Sequence, residues 1–372
     1  MLITHWLRHL QRRSCKRLHT RSVPPVACRI EHLENRTLLT AIHPLDLATL
    51  DGNNGFQLDG IAVSDYSGRS VSTAGDVNGD GYDDMIVGAI YADPGGDTEA
   101  GETYVVFGSG SGFAASLDLA TLDGNNGFRL DGIDADDRSG YSVSTAGDVN
   151  GDGYDDMLVG AYYAAPGGDS GAGETYVVFG SGSGFAASLD LATLDGNNGF
   201  RLDGIDANDY SGYSVSTAGD VNGDGYDDMI VGAYLADPGG DNDAGETYVV
   251  FGSGSGFAAS LDLSTLDGNN GFRLDGIDAD DYSGYSVSTA GDVNGDGYDD
   301  MIVGASYAAP GGDSNAGETY VVFGSGSGFA ASLDLSMLDG TNGFRLDGID
   351  AWDHSGRSVS TAGDVNGDGY DD

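Results

Sequence analysis

The decapeptide GDVNGDGYDD occurs five times in the chain and concentrates oxygen donors at alternate positions of a glycine-interrupted loop. In the first copy the side chains of Asp76, Asn78 and Asp80 stand at loop positions 1, 3 and 5. Tyr82 offers its backbone carbonyl at position 7, and Asp84 closes the loop at position 9. A glycine at position 6 permits the positive φ that folds such a loop back on itself. Oxygen donors without Cys or His are the ligand set that Ca²⁺ prefers, so the loop predicts a calcium site.

The same donors recur in every copy at intervals of 72 residues. The predicted ligands are Asp76, Asn78, Asp80, Tyr82, Asp84, Asp148, Asn150, Asp152, Tyr154, Asp156, Asp220, Asn222, Asp224, Tyr226, Asp228, Asp292, Asn294, Asp296, Tyr298, Asp300, Asp364, Asn366, Asp368, Tyr370 and Asp372. The alternative is a metal-free turn, since Asp, Asn and Gly also form turns, but five copies that keep every donor favour a metal. We therefore expect about one Ca²⁺ per repeat, up to five in all.

Other calcium architectures that use similar letters are disfavoured. Dockerin and helix-loop-helix sites carry an acidic ligand at loop position 12 and continue into a helix, whereas position 12 is here Val87, within an apolar strand-like segment. RTX β-rolls repeat about every nine residues, far more often than this chain does. The pattern therefore predicts a calcium-bound hairpin loop between two strands.

The charge distribution excludes several classes of partner. The formal net charge is −45, and residues 45–372 hold seven arginines, no lysine and 58 of the 60 acidic residues. Such a surface repels nucleic acid and anionic lipid, so neither is an expected partner. Both cysteines, Cys15 and Cys28, lie in the basic first 44 residues, so no disulfide framework stabilises the remainder. No stretch approaches the roughly 20 apolar residues of a membrane-spanning helix, so direct membrane insertion is not expected.

Strands are the elements that must position these loops. Four full copies of a 72-residue repeat (45–116, 117–188, 189–260 and 261–332) are followed by a partial copy, 333–372. Each copy contains four strand-like segments, which in the first copy read GFQLDGI, RSVSTAG, DMIVGA and ETYVVFG. The first alternates apolar and polar residues, and the last two contain continuous apolar runs typical of strands buried on both faces. The sequence predicts an all-β fold in which each copy is a four-stranded antiparallel sheet covered by its neighbours.

These segments resemble a known repeat. SGRSVSTAGDVNGDGYDDMIVGA followed by GETYVVFG is similar to the FG-GAP repeat of integrin α-subunit propellers and their bacterial relatives, and the likeness spans residues 45–372. It implies a β-propeller and an extracellular binding or adhesion module. The phenylalanine of FG is replaced within SGRS or SGYS, and the proline of GAP is Ile90, Tyr162, Tyr234 or Ser306. These departures suit the bacterial variants and weaken the expectation of an integrin-like ligand.

Residues 1–44 are predicted to be a basic segment outside the repeats. They lack the central apolar region of a standard secretory signal. The stretch IEHLENRTLLTA resembles the N-terminal LEPR-XLL segment of long bacterial surface proteins. The match covers Leu33, Glu34, Arg36, Leu38 and Leu39, with asparagine in place of the proline. This resemblance implies a sorting or leader segment, and a disordered tail is the alternative.

Function remains open between three classes. In a module that binds a protein or carbohydrate ligand at the cell surface, loops 136–138 and 163–171 would form a variable face, because the second and third copies differ there. A passive, calcium-stiffened spacer within a larger surface protein suits near-identical copies equally well. A hydrolase or lyase is less favoured, since every Asp recurs in each copy whereas a catalytic pair of carboxylates is a single site. The chain is therefore not expected to be an enzyme.

Two further expectations concern other acidic loops and the end of the chain. The segments DGIDADD (131–137) and PGGD (166–169) are expected to be solvated loops, with a second ion site as the alternative. The fifth copy stops at Asp372, where the segment equivalent to MIVGA should begin, which predicts an incomplete propeller. A short ring closed by the N-terminal strand at 55–61 is the alternative.

Overall fold

The computed structural model describes residues 46–372. The predictions for the basic segment 1–44, including its resemblance to the LEPR-XLL segment, lie outside the described residues. The chain divides into two compact units, Met1–Thr49 and Leu50–Asp372. The described part of the first unit holds one turn of 3₁₀ helix, Leu47–Thr49.

The second unit consists of short strands and one-turn 3₁₀ helices, which confirms the all-β prediction. In chain order the strands are β1 (Gln57–Asp59), β2 (Ser67–Gly75), β3 (Asp84–Ala89), β4 (Glu102–Val106), β5 (Ser116–Asp118), β6 (Gly127–Asp131), β7 (Ser142–Gly147), β8 (Asp156–Ala161), β9 (Glu174–Val178), β10 (Ser188–Asp190), β11 (Gly199–Asp203), β12 (Ser214–Gly219), β13 (Asp228–Ala233), β14 (Glu246–Val250), β15 (Ser260–Asp262), β16 (Gly271–Asp275), β17 (Ser283–Gly291), β18 (Asp300–Ala305), β19 (Glu318–Val322), β20 (Ser332–Asp334) and β21 (Gly343–Asp347).

The 3₁₀ helices of this unit alternate between two recurrent positions in the repeat. They are Pro94–Gly96, Leu119–Thr121, Pro166–Gly168, Leu191–Thr193, Pro238–Gly240, Leu263–Thr265, Pro310–Gly312 and Leu335–Met337. None of the helices among residues 46–372 is long and apolar enough to cross a membrane.

The sheets are staggered, because each takes strands from successive repeats. In one of them β7, β8 and β9 pair antiparallel, β11 of the next repeat joins β9 antiparallel, and β15 of the repeat after that joins β11 in parallel. The expectation that one copy forms its own four-stranded sheet is therefore wrong for the GFRLD strand, which belongs to the sheet of the preceding copy. Consecutive strands usually pair. A sequence that repeats every 72 residues does not indicate at which strand one sheet ends and the next begins.

The apolar strands lie in the core, as the sequence predicts. Strands β8 and β9 are buried along their whole length. In β11, Phe200 and Leu202 are fully buried while Arg201 and Asp203 are half-buried, the alternation expected of this segment. The Phe200 ring stacks on Phe257 at 4.2 Å between centroids. Each apolar cluster joins residues of two successive sheets, so neighbouring sheets cover one another's faces.

Over residues 46–372 the sheets do not close into a ring. Strand β1 pairs in parallel with β5, so the alternative in which the N-terminal strand closes a short ring against the end of the chain is not observed. The segment 357–363, expected to be the strand RSVSTAG of the fifth copy, forms no strand. In the fourth copy this segment pairs with DMIVGA, as where Val287 lies opposite Val303. The described residues provide no such partner for 357–363, and the fold is propeller-like rather than a closed propeller.

Candidate calcium loops and aromatic face

Each decapeptide loop gathers its side-chain oxygens around its own backbone. In the second copy the N–H of Asp152 donates to Oδ1 of Asp148 at 3.0 Å and to Oδ1 of Asn150 at 2.8 Å. The N–H of Gly153 donates to the second oxygen of Asp148 at 2.9 Å, and the N–H of Tyr154 donates to Asp152 at 3.1 Å. The side-chain oxygens at positions 1 and 3 therefore meet at the N–H of position 5, and the side chain of position 5 accepts the N–H of position 7.

The other loops share this geometry, with one difference at the end of the chain. The N–H of Asp80 donates to Asp76 and Asn78 in the first copy, and the equivalent bonds recur in the third and fourth copies. In the fifth copy the N–H of Asp368 donates to Asp364 only, and the Asn366 amide instead donates to Asp372. The residues Asp364, Asn366, Asp368 and Asp372 are all exposed.

In the first four loops the closing aspartate at position 9 is buried and does more than the sequence predicts. Asp156 accepts the N–H of Val149 at 3.1 Å and the N–H of Gly180 at 2.8 Å, so it connects the loop to the end of β9. Burial raises the pKa of Asp156 to about 8, although these bonds act in the opposite direction. Burial likewise raises the pKa of Asp84 to about 7, of Asp228 to about 8 and of Asp300 to about 6.

The donor set fits Ca²⁺ by its chemistry. The loop offers carboxylate, amide and carbonyl oxygens, which are the ligands of hard cations. Among residues 46–372 no three Asp, Glu, His or Cys side chains are grouped as in a preformed metal centre. Oδ1 of Asp148 accepts two N–H groups, those of Gly151 and Asp152, whereas its Oδ2 and the side-chain oxygens of Asn150 and Asp152 each accept at most one and keep a lone pair with which to bind an ion.

Contacts between successive loops explain why residues of the decapeptide that are not predicted ligands also recur in every copy. Oδ2 of Asp155 accepts the N–H of Asp76 in the preceding loop at 2.7 Å. The Tyr154 ring packs on Gly79, where any side chain would overlap it. Val77 is fully buried, and its carbonyl accepts the N–H of Ser181 at 2.8 Å. Sequence reasoning missed these roles, and its only signal was that positions 2, 4 and 8 are as invariant among the copies as the ligands.

The segment DGIDADD is only partly solvated. Asp134 and Asp136 are exposed, but Asp137 is 6% exposed and accepts the N–H of Asp134 at 3.2 Å. The expectation of a solvated loop is therefore wrong for Asp137, because the turn folds this side chain inward. Burial raises its pKa to about 7, and the same holds for Asp209 and Asp281.

The segment PGGD keeps its acid in solvent. Pro166 is buried, whereas Asp169 is exposed. The neighbouring backbone turns through Gly167, whose φ is +66°. The expectation of a solvated acidic loop holds at this position.

Aromatic side chains line the opposite end of the strands from the decapeptide loops. Tyr66 precedes β2 and Tyr91 follows β3, and their rings meet edge to face at 5.1 Å. Arg138 lies over the rings of Tyr91 and Tyr163, at 5.3 and 4.4 Å. Further ring contacts extend this series to the last described repeat. We call the set the aromatic face; it consists of Tyr66, Tyr91, Arg138, Tyr162, Tyr163, Tyr210, Tyr234, Tyr282, Tyr307, Trp352 and His354.

The loops that carry the aromatic face have strained backbone. Non-glycine residues at positive φ recur in pairs, such as Asp136 (φ 70°) with Arg138 (φ 58°) and Asn208 (φ 70°) with Tyr210 (φ 59°). Such conformations are uncommon for bulky residues and cluster at functional sites. Positions 136/208 and 138/210 are also among those that differ between the second and third copies.

The inner strands of the repeats line a common open cavity of about 510 Å³. Tyr141, Tyr213 and Tyr285 line it, and the Tyr213 hydroxyl donates to Tyr285 at 3.2 Å. At this position the first and fifth copies carry Arg69 and Arg357, which lie over the rings of Tyr141 and Tyr285 at 4.4 and 5.6 Å. The SGRS copies thus place an arginine at each end of a row of three tyrosines from the SGYS copies.

Comparison with known proteins identifies the repeat. The FG-GAP repeat family matches residues 67–106, 139–178, 211–250 and 283–322, each of which spans three strands and one decapeptide loop. Integrin alpha-PS2 of Drosophila melanogaster is 32% identical over 188 residues, which is 50% of this chain and 12% of the relative. Integrin alpha-IIb of Mus musculus is 34% identical over 188 residues, 48% of this chain and 16% of the relative.

A third relative carries a different name. Phosphatidylinositol-glycan-specific phospholipase D of Bos taurus is 31% identical over 216 residues, 58% of this chain and 24% of the relative. The chain thus spans less than a quarter of the length of each of these three relatives. The chain thus contains four segments that match the FG-GAP repeat, and over about half of its length it is similar to integrin alpha subunits.

Proposed function

We propose that the repeats form an extracellular, calcium-binding module whose aromatic face binds a protein or carbohydrate partner at the cell surface. The observation that carries the proposal is the aromatic face. It joins side chains of five repeats and leaves Tyr66, Tyr163 and Trp352 exposed by 62%, 37% and 67%. Aromatic side chains combine a large apolar ring with a polar group and are enriched in recognition surfaces.

Calcium would stabilise the opposite end of the same strands. The side chains of Asp148, Asn150, Asp152 and Asp156, with the carbonyl of Tyr154, would hold the ion in the second loop. Each ion would offset two negative charges where the carboxylates are densest, in a chain with a net charge of −45. The loop joins the end of β7 to the start of β8. An ion that orders this loop would therefore also order the β7–β8 hairpin, whose other end carries the aromatic face.

The extracellular location follows from the same chemistry. Extracellular calcium modules bind at about 10⁻⁴–10⁻³ M, a concentration range that the cytosol does not supply. Similarity to integrin alpha subunits supports a cell-surface role. Fractionation of the native host should recover the chain at the cell surface or outside the cell, and recovery wholly in the cytosol would contradict both the location and the calcium proposal.

An adhesion assay tests the aromatic face. Purified protein should bind to host cell surfaces in millimolar Ca²⁺, and a Tyr66→Ser/Tyr163→Ser/Trp352→Ser variant should lose that binding while keeping its melting temperature. Met337→Ser is the control, because Met337 is 65% exposed but belongs to neither the aromatic face nor a decapeptide loop. Equal binding by the triple variant and the wild type would refute a role for the aromatic face.

The assay also separates the binding module from a spacer. A passive spacer would show calcium-dependent stability but no binding that depends on the aromatic face. The structure favours the binding module because a spacer has no use for strained loops that differ between otherwise near-identical copies.

A further inference from the structure

We propose that the eighth residue of each later loop couples calcium binding in that loop to calcium binding in the loop before it. These residues are Asp155, Asp227, Asp299 and Asp371. The inference rests on the proposed function, because it takes the loops to hold Ca²⁺. It assigns these four aspartates the role of positioning residues, since their carboxylates act on the neighbouring loop rather than on an ion.

The same bridge forms at all four junctions between loops. Oδ2 of the eighth residue accepts the backbone N–H of the first ligand residue in the preceding loop. The distances are 2.7 Å for Asp155 to Asp76, 2.8 Å for Asp227 to Asp148, 2.9 Å for Asp299 to Asp220 and 3.1 Å for Asp371 to Asp292. A return bond from the N–H of the eighth residue to the carbonyl of the same partner, at 3.3–3.4 Å, makes each bridge two-sided.

The position of the bridge residue within its own loop makes it a coupling element. Asp155 stands between Tyr154 and Asp156, the predicted ligands at positions 7 and 9. An ion that fixes these two residues fixes the backbone of Asp155 and therefore the direction of its carboxylate. That carboxylate holds the N–H of Asp76, whose side chain is the first ligand of the preceding loop. By linkage, an ion in the preceding loop must favour the following loop to the same extent.

A second contact braces each junction. The ring of the tyrosine at position 7 packs on the glycine at position 4 of the preceding loop, as Tyr226 does on Gly151 and Tyr298 on Gly223. Both glycines have a φ of +75°, and a side chain at either would overlap the ring. Successive loops therefore touch through side chain and backbone, and a change of shape in one is transmitted to the next.

The first loop provides an internal control. Its eighth residue, Asp83, is exposed, and its carboxylate makes no hydrogen bond within the described residues. Asp155, Asp227 and Asp299 are partly buried at the corresponding position. A substitution at position 83 therefore changes the same chemical group in the same decapeptide without breaking a bridge.

The test is a calcium titration of the full chain with a calcium-selective electrode, read as the number of sites, the midpoint and the steepness. The wild type should bind with a Hill coefficient above 1. The variant Asp155→Ala/Asp227→Ala/Asp299→Ala/Asp371→Ala should keep its number of sites, lose the steepness, and need about 5-fold or more calcium at the midpoint, since coupling between sites is typically 5–150-fold. The corresponding Asn variant, which keeps an oxygen to accept the N–H, should retain steepness, and Asp83→Ala should match the wild type.

The outcomes separate this inference from the proposal beneath it. A wild-type chain that binds no calcium overturns the proposed calcium function and the coupling with it. A wild type that binds calcium with an isotherm identical in steepness to the Ala variant overturns the coupling alone. If the Ala variant only melts at lower temperature while its steepness is unchanged, the bridges are structural and the inference is wrong.

Discussion

Replacement of Leu202 by alanine should cost far more stability than the same change at Leu346, the equivalent residue two repeats later. Leu202 is fully buried, because Thr175 lies opposite it on one side and Leu261 on the other. Leu346 is 50% exposed and lies opposite Thr319, with no second strand beside it among the described residues. The pair thus compares one side chain inside a staggered sheet with the same side chain at its edge.

The expected magnitudes follow from burial. Burying a whole leucine contributes about 1.5–3 kcal/mol, and the cavity left by alanine adds to the loss, so Leu202→Ala should cost about 2–5 kcal/mol. Leu346 has half of its surface in solvent and leaves a gap open to water, so Leu346→Ala should cost about 1 kcal/mol.

Urea unfolding followed by circular dichroism, at one fixed calcium concentration, measures both variants. The free energies are comparable if each variant unfolds in a single transition with the wild-type m-value. Costs that agree within about 0.5 kcal/mol would refute the reasoning, because the GFRLD strand of the last repeat would then be as well covered as the strands inside the array.

Two further predictions concern the acidic residues. Asp152→Ala should reduce the number of bound calcium ions by one, because the stability of a repeat array is roughly a sum of terms for each repeat and its neighbours. Calorimetry measures this number, and a fall to zero or no fall would contradict the prediction. In EGTA the melting temperature should fall as the pH rises from about 4 to about 7. Burial raises the pKa of Asp137, Asp209 and Asp281 from 3.8 to about 7. In this pH range the folded state therefore holds protons that the unfolded chain releases, so a rising pH favours unfolding. The variant with asparagine at all three positions should lose part of this slope, and an unchanged slope would refute the assignment.

Local patterns in the sequence were enough to predict four strands in each full copy and the loops between them, but not the short strands β5, β10, β15 and β20. Alternation in GFRLD and the apolar runs of DMIVGA and ETYVV act over a few residues, so the buried faces of β8, β9 and β11 follow from the letters alone. The gathering of Asp148 and Asn150 around the N–H of Asp152 is equally local.

The remaining features depend on contacts between distant residues. The bridge from Asp155 to Asp76 joins residues 79 apart in the chain, and nothing in the intervening sequence indicates it. The sequence did not predict that each GFRLD strand belongs to the preceding sheet, because in a strictly periodic sequence the boundary between two sheets can be placed before any strand. The burial of Asp137 was missed because Asp and Gly in a loop normally indicate solvent exposure.

The central claim is that calcium in the repeated loops stabilises the array, and thermal melts in EGTA and in excess Ca²⁺ test it most directly. A site with a dissociation constant of about 10⁻⁴ M gains about 2.7 kcal/mol at 10 mM Ca²⁺ by mass action, so several filled loops should raise the melting temperature well beyond experimental error. Magnesium at the same concentration controls for ionic strength and should raise it less, because the loop offers a many-oxygen site without rigid octahedral geometry. The account predicts a clear upward shift in Ca²⁺, and superimposable curves in EGTA and Ca²⁺ would contradict it.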